Sequence, residues 1–164
     1  MGTGGVFLRR LRARVVDEPT GFVWIEKGKL AGSGFPASRS QLKWLIGQGI
    51  NSILTLTKDP IPEEWVDGLA VEVGHIPLED HRAPDLASMD RGAEYISGKL
   101  REGKTLVVHC LAGEGRTGCM LAAYMIRWRN MDPWEALKAL REIKPEFVER
   151  EQEEAVLNYG LSRN

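Results

Sequence analysis

The unit that most constrains this chain is a short apolar run, Lys104 to His109, leading through a glycine-bearing turn into an apolar helical pattern. The run KTLVVH is rich in β-branched residues, the mark of a buried strand. After Gly113 and Gly115 the sequence from Thr117 to Arg129 reads as a helix. Ile50 to Thr57 (INSILTLT) predicts a second buried strand, stopped by Asp59-Pro60, and Leu69 to Ile76 a third. Between these runs lie helix patterns. Ser38 or Ser40 caps one carrying Leu42, Leu45 and Ile46. Another places Leu86, Met89, Ala93, Ile96 and Leu100 at helical spacing. Strands that alternate with helices predict an α/β domain with a central, mostly parallel sheet flanked by helices.

The ends of the chain add to this plan. FVWIEKGKLAGSGFP, residues 22–36, predicts an N-terminal β-hairpin turning at Lys27-Gly28. Asp132-Pro133-Trp134-Glu135 opens a helix with an Asp N-cap, Pro at N1 and Glu at N3, and Lys144-Pro145 stops it. Glu149 to Tyr159 predicts a last helix. Of the five tryptophans, at 24, 44, 65, 128 and 134, most are expected in the core, with Trp65 near any pocket.

Length and charge narrow the function. At 164 residues the chain reads as one domain over 20–164, able to bury a core without staples, preceded by an arm over 1–19. That arm carries Arg9, Arg10, Arg12 and Arg14, which a solvated, partly disordered segment explains better than an anionic surface patch. A net charge of -1 gives no reason to expect nucleic acid as a partner. No apolar run reaches the roughly 20 residues of a membrane span. Gly2 does not sit in a myristoylation motif, because position 6 is Val6. Cys110 and Cys119 are too few for a disulfide framework and lack metal-ligand spacing, so no metal or other cofactor is expected and a cytoplasmic, reducing location fits.

VVHCLAGEGRTGC, residues 107–119, stands at a strand end, where ligands gather in parallel sheets. A loop entering a helix N-terminus presents backbone N–H groups without intrahelical partners, together with the positive end of the helix dipole. It is an anion site by construction. Gly113 and Gly115 allow the N–H groups to converge in a nest, and the same field favours a thiolate at Cys110. Arg116 has the planar fork for two phosphate oxygens. Thr117 places a hydroxyl near the thiolate, and His109 is expected to tune the cysteine through hydrogen bonds rather than act as a base.

HCLAGEGRTG is similar to the His-Cys-x-x-Gly-x-x-Arg-Ser/Thr-Gly signature of cysteine-dependent protein tyrosine phosphatases. FVWIEKGKLAG, the Pro77–Pro84 loop and EREQEEAV also resemble segments of the small atypical dual-specificity phosphatases, so the likeness covers roughly residues 20 to 160. It implies that 20–164 is a phosphatase domain and that Cys110 attacks phosphorus to give a phosphocysteine, which water then hydrolyses. It also implies that Arg116 and the loop of Leu111, Ala112, Gly113, Glu114 and Gly115 hold the phosphoryl oxygens.

The resemblance requires a proton donor on the loop before the preceding helix. PLEDHRAP looks like the family's Pro-x-x-Asp-x-x-x-Pro pattern, which points to Asp80. Asp85 reads better as an N-cap and Asp59 as a turn residue. His81 and Arg82 are expected either at the pocket mouth or as plain exposed loop. Gln152 is a candidate for positioning water, with a solvated helix face as the alternative, and Cys119 is expected in the core rather than as a redox partner. Lysines, which lipid-phosphatase relatives carry in this loop, are absent and Glu114 stands there instead. The expected substrates are phosphorylated proteins, at tyrosine with serine and threonine open, acted on by a monomer. The alternatives are an inositol phosphate or nucleotide substrate, a phosphate-binding module without turnover, and a sulfurtransferase.

Overall fold

The computed structural model describes residues 17–163. The arginine-bearing part of the N-terminal arm lies outside them. Five strands form one sheet in the order β1-β2-β5-β3-β4: β1 Val23–Glu26, β2 Leu30–Ser33, β3 Ser52–Thr55, β4 Glu72–His75 and β5 Leu106–His109. β1 and β2 pair antiparallel, and every other pairing is parallel. The hairpin turns at Gly28, whose φ of 75° suits glycine. The α/β expectation holds, with each strand shorter than its apolar run: Ile50 and Leu56 flank β3 and are buried outside it.

The helices are α1 Arg39–Gly47, α2 Glu63–Val66, α3 Leu86–Arg101, α4 Gly115–Trp128, α5 Pro133–Ile143 and α6 Glu153–Leu161. Ser38 caps α1 through Gln41 N at 3.2 Å, and Asp132 caps α5 through Trp134 N at 2.9 Å. The single turn of α2 carries no apolar period and was not expected. α4 starts two residues before Thr117, because Gly115 and Arg116 already belong to its first turn. The C-terminal segment enters as a 3-10 turn, Arg150–Gln152, before α6.

Alternate strand residues divide between two cores. Leu30, Leu54, Leu106 and Val108 face α3, α4, α5 and α6. Ala31, Ile53 and Val107 face the side of Leu42, Leu45 and Ile61, where Trp24, Trp44 and Trp65 pack half-buried. The expectation of core tryptophans holds for these three and fails for Trp128 and Trp134, which are 37% and 58% exposed. Trp128 lies at the end of α4 beneath the guanidinium groups of Arg101 and Arg127, which keeps its ring useful at the surface. Leu86, at the first position of α3, is also exposed.

Candidate active site

Strand β5 is flanked on both sides, by β2 and β3, and delivers Cys110 at its carboxyl end. The Thr117 hydroxyl, on the first turn of α4, donates to Cys110 Sγ at 3.1 Å, and both residues are buried. His109 is fully buried with both ring nitrogens engaged. Nδ1 lies 3.1 Å from the Cys110 carbonyl and Nε2 lies 2.9 Å from Thr55 Oγ1. A carbonyl only accepts, so Nδ1 carries the hydrogen and Nε2 accepts from the threonine. Burial lowers the pKa of His109 to about 4, against the hydrogen bond to Cys110, which raises it. The ring is therefore neutral near pH 7, in keeping with a tuning role. The edge of Phe35 packs against it at 5.6 Å between centroids, and Trp65 packs on Phe35 at 6.4 Å.

The loop after Cys110 is held by its carbonyls. Those of Cys110, Leu111, Gly113 and Glu114 accept from His109 Nδ1 (3.1 Å), Phe35 N (2.9 Å), Lys144 Nζ (3.0 Å) and Val148 N (3.2 Å). Glu114 O also accepts from Gly118 N at 3.0 Å. In a trans peptide the N–H points opposite to the C=O, so tying the carbonyls outward turns the following amides inward. Among the described residues, the amides of Leu111, Ala112, Gly113, Glu114, Gly115 and Arg116 donate to no protein acceptor. Gly113 has φ 75°, and a Cβ there would meet the Ser33 carbonyl carbon at 2.5 Å. A Cβ on Gly115 would meet Gln152 Oε1 at 2.6 Å. Gly113 is required by backbone geometry, and Gly115 gives Gln152 the room it occupies.

Arg116 is buried and reaches across to the 77–85 loop. Nη1 donates to Leu78 O at 3.1 Å, Nη2 lies 3.0 Å from Asp80 Oδ1, and Nε is buried without a partner. Asp80 is part-exposed, and its carboxylate accepts from the His81 amide at 3.0 Å. Of the two readings for His81 and Arg82, exposure is what both show. The His81 ring stands 3.5 Å from both Asp80 and Glu149, and Arg82 pairs with Glu79 at 3.0 Å. The other aspartates have local duties. Asp85 caps α3 through Ser88 N at 2.7 Å, a bond that holds its carboxyl below the usual range. At Asp59 it is the main-chain carbonyl that serves the turn, accepting from the Thr57 hydroxyl at 2.7 Å. Cys119 is a core residue whose thiol burial pushes well up, so it is neutral.

The family model described as Swiss Army Knife protein, DSP-PTPase phosphatase domain, matches residues 19–157. The chain belongs to the cysteine-dependent protein tyrosine phosphatase superfamily. Within it, the fold and the relatives identify a small atypical dual-specificity phosphatase. The crystal structure of Tk-PTP in the active form is 28% identical, with a TM-score of 0.78 over 87% of this chain and 97% of that one. Among curated proteins, the phosphatidylglycerophosphate phosphatase PTPMT1 of Arabidopsis thaliana is 29% identical, over 76% of this phosphatase and 38% of the relative's length. The rat phosphatidylglycerophosphatase and protein-tyrosine phosphatase 1 is 22% identical over 80% of each. No described helix of this phosphatase is long and apolar enough to cross a membrane.

One contributor to the phosphatase site is not foreshadowed in the sequence: Lys144 reads only as a helix stop, and nothing in its spacing points across the fold to Gly113. Gln152 is fully buried, not solvated. Its Nε2 donates to Arg82 O at 3.2 Å and its Oε1 accepts from Glu149 N at 3.1 Å. Gly115 packs closely against it.

Proposed function

We propose that this chain hydrolyses phosphomonoesters through a phosphocysteine, with phosphotyrosine of proteins as its principal substrate and phosphoserine and phosphothreonine as further ones. In the first step Cys110 Sγ forms a bond to phosphorus, and the bond to the leaving oxygen breaks. That oxygen takes a proton from Asp80. In the second step Asp80 accepts a proton from the attacking water, the sulfur–phosphorus bond breaks, and the Thr117 hydroxyl stabilises the departing thiolate. The inward amides and Arg116 hold the equatorial oxygens through both steps. His109 fixes the cysteine backbone, and Gln152 acts as a positioning residue through the two loops it joins.

The observation that carries this reading is the 3.0 Å contact between Arg116 and Asp80, which brings the proposed acid to the guanidinium of the loop that begins with the nucleophile. Protein substrates are favoured by Glu114 inside the loop, an acidic residue that disfavours a multiply phosphorylated headgroup. They are also favoured by Leu111, 60% exposed beside Cys110, an apolar contact for a phenol ring. The two buried free cysteines suit a reducing compartment such as the cytoplasm.

A second reading, a glycerophosphate lipid as substrate, is favoured by the names of the Arabidopsis and rat relatives. A steady-state panel of phosphotyrosine, phosphoserine and phosphothreonine peptides and phosphatidylglycerophosphate, run with wild type and Cys110→Ser, decides between them. Peptide turnover that vanishes in Cys110→Ser, at least ~10⁴-fold down, is the expected result. Lipid kcat/KM above that for every peptide transfers the assignment to the second reading. Turnover surviving in Cys110→Ser overturns both.

A further inference from the structure

We infer that Lys144 is a positioning residue for phosphate binding, acting through the Gly113 carbonyl; this deepens the phosphatase reading of the same site and rests on it. Four loop carbonyls are tied outward. Two are held by backbone amides, of Phe35 and Val148, and one by the neutral ring of His109. Only that of Gly113 is held by a charged group, Lys144 Nζ at 3.0 Å. Its partner peptide runs from Gly113 to Glu114, so the bond sets the direction of the Glu114 amide.

The lysine is itself held in place. It terminates α5 in extended conformation, φ -146°, and Pro145 follows it. Its ammonium lies 5.5 Å from the centre of the Phe147 ring. It also packs so closely on Gly21 that a Cβ there would stand 2.7 Å from Nζ. No carboxylate is paired with this ammonium among the described residues, so its charge is not cancelled locally.

Two effects follow, both favouring a bound dianion. A charge-assisted hydrogen bond to the carbonyl polarises the Gly113–Glu114 peptide and strengthens its N–H as a donor. The cation also stands one peptide behind the anion, outside the reach of substrate, so it adds attraction without competing for the oxygens. The residue does not touch the reacting atoms. Its removal is expected to weaken phosphate capture while the fold and the chemical groups stay in place.

The test is direct binding of inorganic phosphate, by calorimetry, to wild type, Lys144→Met and Lys144→Arg, with melting temperature followed in parallel. Lys144→Met is expected to raise the Kd about tenfold, the size of a lost charge-assisted hydrogen bond. Lys144→Arg is expected within threefold of wild type, and KM for a phosphotyrosine peptide should rise in Lys144→Met with kcat changed less. Equal phosphate affinity in wild type and Lys144→Met overturns the inference and leaves the phosphatase reading intact. So does an arginine variant as weak as the methionine one, because charge would not then be what counts. Wild type that binds no phosphate removes the phosphatase reading itself.

Discussion

The two loops that meet at Arg116 are built on opposite principles. The loop from Cys110 to Arg116 is closed on the protein side by four tied carbonyls and by Gly113, which leaves no room for a side chain. The loop from Glu79 to Asp85 lies largely exposed. It is joined to the rest by the Arg116 contacts, the Gln152 bond to Arg82 O and the 3.5 Å approach of His81 to Glu149. The nucleophile is placed by burial, the acid by reach. A phosphocysteine mechanism suits that division, since the cradle must be ready for the same oxygens twice while the acid must reach first the leaving oxygen and then the attacking water.

Asp80→Asn gives the largest expected break in this contrast. It should lower kcat by about 10²–10³-fold and leave phosphate affinity within a few-fold, as measured by steady-state kinetics on an aryl phosphate beside phosphate titration. A matching loss of phosphate affinity would mean that the exposed loop shapes the cradle and that the two loops are not separate devices.

The next effect concerns the buried side alone. His109 has a folded pKa of about 4, below its unfolded value of 6.5. Between these values the unfolded chain binds a proton that the folded chain does not. Stability is therefore full above pH 6.5 and falls as pH drops toward 4, at ~1.4 kcal/mol per unit, about 3 kcal/mol in all. Denaturant titrations of wild type and His109→Gln from pH 7 to 4 should show a shallower decline in the variant. Parallel curves would place the acid sensitivity elsewhere.

Gly113→Ala should cost about 1–3 kcal/mol in stability, because its φ of 75° disfavours a side chain and the Cβ would meet Ser33. It should also weaken phosphate binding measurably. A variant with wild-type stability would show that the loop relaxes more readily than its bonds imply. The smallest effect is expected from Gln152→Ala, a three- to tenfold loss in kcat with phosphate Kd unchanged. Hydrogen exchange in residues 79–85 should rise at the same time. Unchanged exchange there would remove Gln152 from the support of the acid loop.

Legibility in the sequence followed the same division. The cradle was readable because its chemistry is local: a β-branched run, glycines, an arginine and a threonine in one contiguous stretch. The caps at Ser38, Asp85 and Asp132 were readable for the same reason. What crosses the fold was not. Lys144 lies 31 positions from Gly113, and Gln152 lies 70 from Arg82. The α2 turn lacks an apolar period, and Trp128 sits on a surface stack that composition does not disclose. Asp80 is the intermediate case. The resemblance singled it out, and its ion pair with Arg116 is a tertiary fact.

The central place of β5 has a consequence for how such a molecule loses activity. Its amides are covered by β2 on one side and β3 on the other, so they exchange with solvent only when the whole sheet opens. The strand that ends at Cys110 then has no partial melting of its own. Heat or denaturant should extinguish phosphate capture and the sheet's protection in one transition, making phosphate binding a gauge of global unfolding.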